Sequence, residues 1–576
     1  MGLLNSSLHI GRTALLSYQG ALQVVGNNIA SAGSPDYTRL TPQLDPLSGL
    51  ALSRGLQSGA GVELTEIQRN IDEALESRLR LAVSDHQAAA ARQTTLSQLE
   101  SQYDDVNGTG LASRLRSFFN SFDELQNSPE DLAVRDLVLA GGASLAGEIQ
   151  AQRARLVDLG GSLDSQIGGL VERANERIAV LADLNERITR AEAGGPAQAT
   201  GLRDQRDGVL RDLAELFDVT THEQPNGALN VYVGSEALVQ GSVFRRLTSE
   251  QTVDGEFRRT SLRFLDTRGE LPLVGGRIEG LIRSRDQEAY ARVAELDQFA
   301  SALVADVNRI HADGQGLVGL TAVIGSAEVF ATNVPLDQPG AGLDQPLQSG
   351  SFYLVVTDNA SQTPVARRIE VTSGGTSTGT TLENLVDAIN NSVDGVTASI
   401  TSDRRLSLVA DTGSSFTLGH DGAVARADSS GLLAALGVNT FFSGHDATDI
   451  AVNEVLVDDP RRVAAAATAL PGDGIIAGRI AALDSKESDL LNGLSLSGFY
   501  NGIVSGIAVA ASEANDDSTS AEVILSSLQA QRESISGVSL DEEAISLVKY
   551  ERAFQGVSRF VTVVDNLIRE LVTLVR

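Results

Sequence analysis

Residues 547–575 read LVKYERAFQGVSRFVTVVDNLIRELVTLV. Leu547, Tyr550, Phe554, Val557, Val561, Val564, Ile568, Leu571 and Val575 alternate steps of three and four without a break. Such spacing lays a narrow apolar stripe along one side of a helix, the seam geometry of a coiled coil. The start of the chain carries a matching stripe. Leu8, Leu15, Leu22 and Ile29 recur every seven residues, and Leu4, Tyr18 and Val25 fill the interleaved line, broken only by Gly11. Neither helix can bury its stripe alone. First and last helices that both need a helical partner imply a chain that folds back on itself or assembles with its own copies. A structural subunit is therefore expected, with Leu8, Leu15, Tyr18, Leu22, Val25, Ile29, Phe554, Val557, Val561, Val564, Ile568 and Leu571 at the assembly interface.

Composition narrows the function classes. A chain of 576 residues suggests about three or four domains on length alone. Its formal net charge of −30 repels phosphate backbones and anionic lipid, so neither nucleic acid nor a membrane surface is expected as a partner. Nearly all the basic residues are Arg; Lys486 and Lys549 are the only lysines. Cysteine is absent, which excludes disulfides and thiolate metal sites. No apolar run reaches the ~18 residues of a membrane-spanning helix. The N-terminus lacks a basic segment followed by an apolar core, so export, if it occurs, uses a route without that type of signal peptide.

Helical periodicity dominates to about Phe217, interrupted after the opening helix by Pro35, Pro42 and Pro46. A long helix is expected from about Glu66 to Tyr103, with Ile67, Ile71, Leu75 and Leu79 as its stripe. Ser128-Pro129-Glu130-Asp131 reads as a cap, followed by helix to Ile188 with local breaks at glycine pairs and a stop at Gly194-Gly195-Pro196. In the next helix Arg203, Asp207 and Arg211 stand four apart and are expected to pair on its exposed face. Then the period changes to two: Asn226-Gly227 signals a tight turn, and Leu229, Val231 and Val233 alternate with polar residues. Helix returns from Ile278 to His311. From about Leu317 the chain turns rich in Gly, Ser, Thr and Val, with strands predicted at Phe352–Val356, Val396–Ile400 and Leu406–Leu408. One helix opens there with a capping box, Thr380 with Glu383; another, Ser539 with Glu542, opens the last helix.

These segments predict an elongated α+β multidomain fold in which a helical bundle built from both chain ends nests β-rich insertions at its far end. The expected division is terminal coiled-coil helices at 1–40 and 540–576, and a helical bundle domain from 41–215, 276–316 and 450–539. A small β domain spans 216–275, and an inserted α+β outer domain spans 317–449.

Several strings resemble enzyme motifs, but their contexts argue otherwise. Gly375-Thr376-Ser377-Thr378-Gly379 fits a nucleophile elbow, yet lies in a loop-like run rather than between strand and helix. Gly314 to Gly319 fits a phosphate-binding glycine pattern, but it follows a helix and reads as its stop. Met1 to Ser6 fits a myristoylation pattern, and an amphipathic helix start accounts for it better. None of the six histidines has metal-ligand spacing. His420-Asp421 and His445-Asp446 sit among Gly and Ser, where loop hydrogen bonding is the plainer reading. The expectation is no catalytic residue, no metal and no cofactor.

Asn27-Asn28-Ile29-Ala30-Ser31, followed by Ser34-Pro35-Asp36-Tyr37-Thr38-Arg39, resembles the N-terminal signature of bacterial flagellar axial proteins, the family of rod, hook and hook-associated subunits. Asn27, Asn28, Tyr37 and Arg39 are its signature positions here. Tyr37-Thr38-Arg39 is similar to the hook-associated version. So are Ile67-Gln68-Arg69, Asp204-Gln205-Arg206-Asp207, Asn230 to Val233, Leu238 to Gly241, Asn308 to His311, Val452-Asn453 and Ile535 to Glu543, which occur in the family's order. Ser31 and Gly33 stand where the family usually has Asn, and Asp36 replaces Gly before Tyr37. The resemblance implies a non-enzymatic structural protein at the junction between hook and filament, secreted unfolded through the flagellar channel to the extracellular flagellum. It implies assembly with copies of itself in a ring, hook protein and a second hook-associated junction protein as neighbours, and an export chaperone on the C-terminal region. The rivals are another axial subunit such as hook protein, or a secreted enzyme displayed on an axial scaffold. A pocket in the insertion with converging His and carboxylates would mark the last.

Overall fold

The computed structural model describes residues 2–574 except 35–36, 48–50, 54–55, 58, 104, 106–107, 194–198, 344–346, 376–377 and 419–427. Helices in chain order are α1 Gly2–Ser31, α2 Glu73–Tyr103, α3 Leu111–Asn127, α4 Leu132–Glu192, α5 Thr200–Leu216, α6 Gly276–Arg283 and α7 Tyr290–His311. They continue with α8 Leu382–Ser392, α9 Leu432–Ala435, α10 Glu454–Asp458, α11 Ile475–Ala481, α12 Leu496–Ser536 and α13 Leu540–Leu574. The chain forms two compact units, one from residues 1–96, 161–286 and 511–576, the other from 97–160 and 287–510.

In the first unit α1 leads into an antiparallel hairpin, Leu40–Pro46 with Val62–Arg69. Here the structure departs from the expected helix at Glu66: strand continues to Arg69 and α2 starts at Glu73. Asp72 Oδ1 accepts the backbone N–H groups of Ala74 and Leu75 and fixes that start. Leu75, Leu79 and Ala82 then pack on Leu528 of α12. In α4, Leu163, Ile167, Val171, Ala174, Ile178, Leu181 and Ile188 are buried at helical spacing. Four strands follow α5 as an antiparallel meander, Val219–Glu223, Leu229–Val233, Glu236–Gln240 and Val243–Phe244. Gly227 takes φ +81° in the first turn, where only glycine escapes a Cβ penalty. Two asparagines of α4 fasten the strands. Asn185 donates to Leu229 O and accepts from its N–H, and Asn175 does the same for Leu247.

The expected helix breaks at glycine pairs do not occur, because α4 runs unbroken for 61 residues. Two of its glycines, Gly142 and Gly160, serve close approach instead. A methyl group on Gly142 would come within 2.7 Å of the Phe441 ring, and one on Gly160 would overlap Tyr290. Gly194, Gly195 and Pro196 lie outside the described residues.

In the second unit α3 presents Leu111, Leu115, Phe118, Phe119, Phe122 and Leu125 inward. Phe118 and Phe122 meet Phe441 at ring separations of 5.6 and 5.4 Å, and Phe118 meets Phe442 at 5.6 Å. His311 joins this cluster, 5.7 Å from Phe441. Its Nδ1 pairs with Asn439 O at 2.7 Å, and its Nε2 accepts Ala464 N–H at 2.9 Å. Arg135, fully buried, donates to Pro129 O and Val463 O and ties the same loops together.

The chain between α7 and α10 carries two three-stranded sheets. In one, Gly350–Asp358 lies between Thr363–Val371 and Ser414–Thr417; in the other, Leu406–Ala410 lies between Ala322–Ile324 and Val396–Ile400. Phe352, Leu354, Leu385, Ile389, Ala398, Leu408, Phe416 and Leu436 form their shared core. The cap of α8 is Thr381, whose Oγ1 accepts Asn384 N–H; Thr380 instead bonds the backbone of Thr372. Asn439 Nδ2 donates to Gly314 O at 2.9 Å, so this segment leaves and rejoins the helices at neighbouring points.

Two outcomes follow from this packing. Replacing residues 317–438 with a short Gly/Ser linker should leave the helices of the second unit folded, whereas replacing 317–449 removes Phe441 and Phe442 and should unfold them; circular dichroism during heating separates the cases. Burial lowers the His311 pKa to about 4, below its unfolded value, so its stabilisation is complete above about pH 6.5 and is lost on descent through pH 4. Urea unfolding of the wild type should weaken by about 3 kcal/mol over that window, and His311→Gln should lack this part of the slope.

Candidate assembly site at the paired chain ends

The first and last helices pair antiparallel within the first unit. Tyr18 lies 6.4 Å from Tyr550, ring to ring, while Gly11 faces Val561 and Asn28 faces Glu543. The expected interface residues mostly occupy this seam: Val25 and Val564 are buried, and Leu8, Leu15, Tyr18, Leu22, Ile29, Phe554, Val557, Val561 and Ile568 are half-buried. The side chain of Leu571 lies outside the described residues. Gly11, which interrupts the apolar line in the sequence, sits where any Cβ would overlap Val561 Cγ2. The gap in the pattern is a point of close approach.

A second face of α1 is not marked by large apolar residues. Ala14, Ser17, Ala21, Val24 and Asn28 also step by three and four, and all are buried. Because they are small, the hairpin can lie close. Ser17 Oγ donates to Val62 O and accepts Leu64 N–H, and a Cβ on Gly20 would come within 2.7 Å of Leu64. Those steps were visible in the sequence, but small residues carry little hydropathy signal.

Three of the four signature residues converge at one end of this helix pair. Asn28 is 1 % exposed and fully bonded: it donates to Leu40 O at 2.8 Å and to Glu543 Oε2 at 3.0 Å. Its Oδ1 accepts Leu40 N–H at 3.0 Å and the Tyr37 hydroxyl at 2.7 Å. Arg39 reaches Glu543 at 2.9 Å and Glu542 at 2.6 Å, and its N–H donates to Ser536 O at 2.9 Å. Burial, with Asp204 and Glu543 nearby, pushes the Tyr37 phenol up to about 12, so it stays a donor at neutral pH. Glu543, itself buried, thereby holds residues 28 and 39 from more than 500 positions away. Asn27 is exposed on the rim of an adjoining groove of about 930 Å³, outside the network. In the expected capping box Glu542 binds Arg39 instead.

Next to this cluster, Arg203 and Asp207 of α5 also make pairs that reach beyond the helix. Asp207 and Asp204 both bind Arg69, and Arg203 binds Glu192 and Glu223. Arg206 donates to Gly227 O and Glu223. Burial raises the Asp204 pKa, and Arg69 opposes that rise.

The outward side of α13 is also apolar. Ile545, Val548, Phe560, Val563, Leu567 and Val572 are exposed, as is Leu16 on α1.

A cleft of about 990 Å³ in the second unit is lined in part by Asp306, Arg309, His445, Asp446, Lys486 and Asp489. His445 is exposed there and pairs with Asp449 at 3.2 Å. Among the described residues no group of three His, Asp or Glu is arranged to hold a metal ion.

The family model for the flagellar hook-associated protein FlgK helical domain matches residues 96–324. That for the flagellin hook IN motif matches 369–412, and that for the flagellar basal body rod FlgEFG protein C-terminal region matches 529–574. The chain is 26 % identical to flagellar hook-associated protein 1 of Escherichia coli over 562 residues, covering 96 % of both chains. It is 24 % identical to the Bacillus subtilis protein of that name, covering 98 % of this chain and 97 % of the relative. The solved structure of the flagellar hook junction protein FlgK from Burkholderia pseudomallei superposes with a TM-score of 0.49 at 17 % identity, covering 80 % of this chain and all of that one.

Arg39→Met should loosen the terminal pair by about 2–3 kcal/mol, because it strips a charge-assisted bond from a buried carboxylate. Amide exchange should quicken across α1 and α13 and stay unchanged in α3 and α7. Arg39→Lys keeps the charge but loses the fork, so its effect should be intermediate.

Proposed function

We propose that the chain belongs to the flagellar hook-associated protein 1 family and is the structural axial protein joining flagellar hook to filament, built into place by its terminal helices. The carrying observation is the α1–α13 pair, which closes one apolar seam and leaves a second strip exposed. Phe560, Val563 and Leu567 step by three and four along that strip. Large apolar side chains in such a row favour a protein partner over water. A second copy of this chain is the fitting occupant, since every copy offers the same helix pair and repetition closes a ring.

Within that ring, hook protein would stand on one side and the second hook-associated junction protein on the other. Before assembly the same C-terminal strip would be the surface an export chaperone covers. The protein is a component of the extracellular flagellum, and we infer that it travels unfolded through the flagellar secretion channel. No disulfide has to form afterwards, because there is no cysteine.

Two substitutions separate the inner seam from the outer strip. Val561→Asp puts a charge against Gly11 inside the pair and should cost several kcal/mol. Val563→Glu, on the exposed side, should leave monomer stability within about 0.5 kcal/mol. Both should abolish junction assembly and motility, while the second unit keeps its thermal transition. Normal filament growth with Val563→Glu would refute the outer strip as a contact between copies.

A further inference from the structure

Polar side chains meet inside the helical core of the second unit. Tyr103 ends α2, Gln152 projects from α4 and Tyr500 lies in the first turns of α12; they are 6 %, 2 % and 3 % exposed. The two tyrosine rings stack with centroids 6.3 Å apart and planes 25° from parallel, and Phe299 of α7 lies 5.8 Å from Tyr500. Such a setting suits apolar side chains. Yet Tyr103 OH and Gln152 Oε1 have no hydrogen-bond partner, and Gln152 Nε2 reaches Tyr500 OH only at 3.5 Å.

Turning the amide over does not mend this. Its oxygen would then face Tyr500 at the same long distance, and its nitrogen would be the orphan. Burial pushes both phenols up, Tyr500 to about 12, so each carries a proton at neutral pH and must place it somewhere. A buried hydroxyl or amide oxygen left dry costs a full desolvation penalty.

We propose that this cluster is a binding site for one ordered water, bridging Tyr103, Gln152 and Tyr500. The water accepts from both tyrosine hydroxyls and donates to Gln152 Oε1. Three hydrogen bonds are what a buried water usually makes, and they give Tyr103 OH and Gln152 Oε1, the two atoms without a partner, one bond each. The two tyrosines and Gln152 stand on three different helices, so the water joins side chains whose one mutual hydrogen bond, among the described residues, is the long Gln152–Tyr500 contact. It supplies a specific tie where an all-apolar layer would supply only area.

The test uses the full chain. A crystal structure should show a density peak about 2.7–3.0 Å from Tyr103 OH, Gln152 Oε1 and Tyr500 OH. Tyr103→Phe keeps the ring and removes one arm, and should lower the melting temperature of the second unit by about 2–4 °C. Gln152→Met should do the same. The double variant should lose no more than either single one, because both release the same water. An empty site in the density would overturn the proposal. So would a melting temperature that stays or rises in Tyr103→Phe, or losses that simply add.

Discussion

One carboxylate closes this chain. Glu543 is buried at the start of the last helix and accepts from Asn28 at 3.0 Å and Arg39 at 2.9 Å. A buried carboxylate without partners would carry a heavy desolvation cost, so the last helix is stable in its place only when residues 28 and 39 are in theirs. The dependence runs both ways. Asn28 also holds both polar groups of the Leu40 backbone, where the hairpin begins, and Arg39 takes the carbonyl of Ser536, where α12 ends. The turn from α1 into the hairpin and the turn from α12 into α13 are thus specified together. Loop-closure entropy over so long a separation is paid once, by a small set of directional bonds, and the apolar seam then adds area along the paired helices.

How far this was legible depends on how each kind of signal is written. The heptads named the terminal pair because large apolar side chains at steps of three and four line one face of a helix and leave it in need of a partner. The strand alternation from Leu229 to Val233 and the core strands around Phe352 and Leu408 were readable from their own periods in the same way. The hairpin at Leu40–Arg69 was hidden, because its burial is uneven and Pro42 and Pro46 read as breakers; both sit in a two-stranded hairpin that has room for them. The glycine pairs of α4 read as breaks, but Gly142 and Gly160 proved to be contact points for Phe441 and Tyr290. Hydrophobicity cannot tell a glycine that ends a helix from one that admits an aromatic ring. Asn28, Tyr37 and Arg39 were flagged by resemblance, but Glu543 as their shared partner was not, since a long-range polar bond leaves no period in the sequence.

The preference for arginine over lysine acquires a physical meaning in the same light. Arg69, Arg206 and Arg285 are buried side chains, each set against carboxylates from other segments: Asp204 and Asp207, Glu223, and Asp164; Arg285 also holds its neighbour Asp286. A guanidinium can serve two carboxylates and a carbonyl at once in a fixed fork, where an ammonium offers a point charge. In an acidic chain these forks do more than balance charge. They set register between segments that hydrophobic contact alone would let slide.

Such bonds also suit a protein without cysteine. Every tie that fixes this fold, from the Asn28–Glu543 contact to the aromatic cluster around Phe441, is non-covalent and forms from side chains present in the unfolded chain. Nothing has to be oxidised, and no metal has to be acquired to complete the Glu543 cluster. An unfolded chain can therefore recover its ends whenever both are free to meet. The recovery is directional: α1 requires the hairpin on one face and α13 on the other, and Asn28 is satisfied only when both are present. An end that has docked on one face alone leaves a buried amide or carboxylate unpaired, which penalises the half-formed state and sharpens the choice between open and closed chain ends.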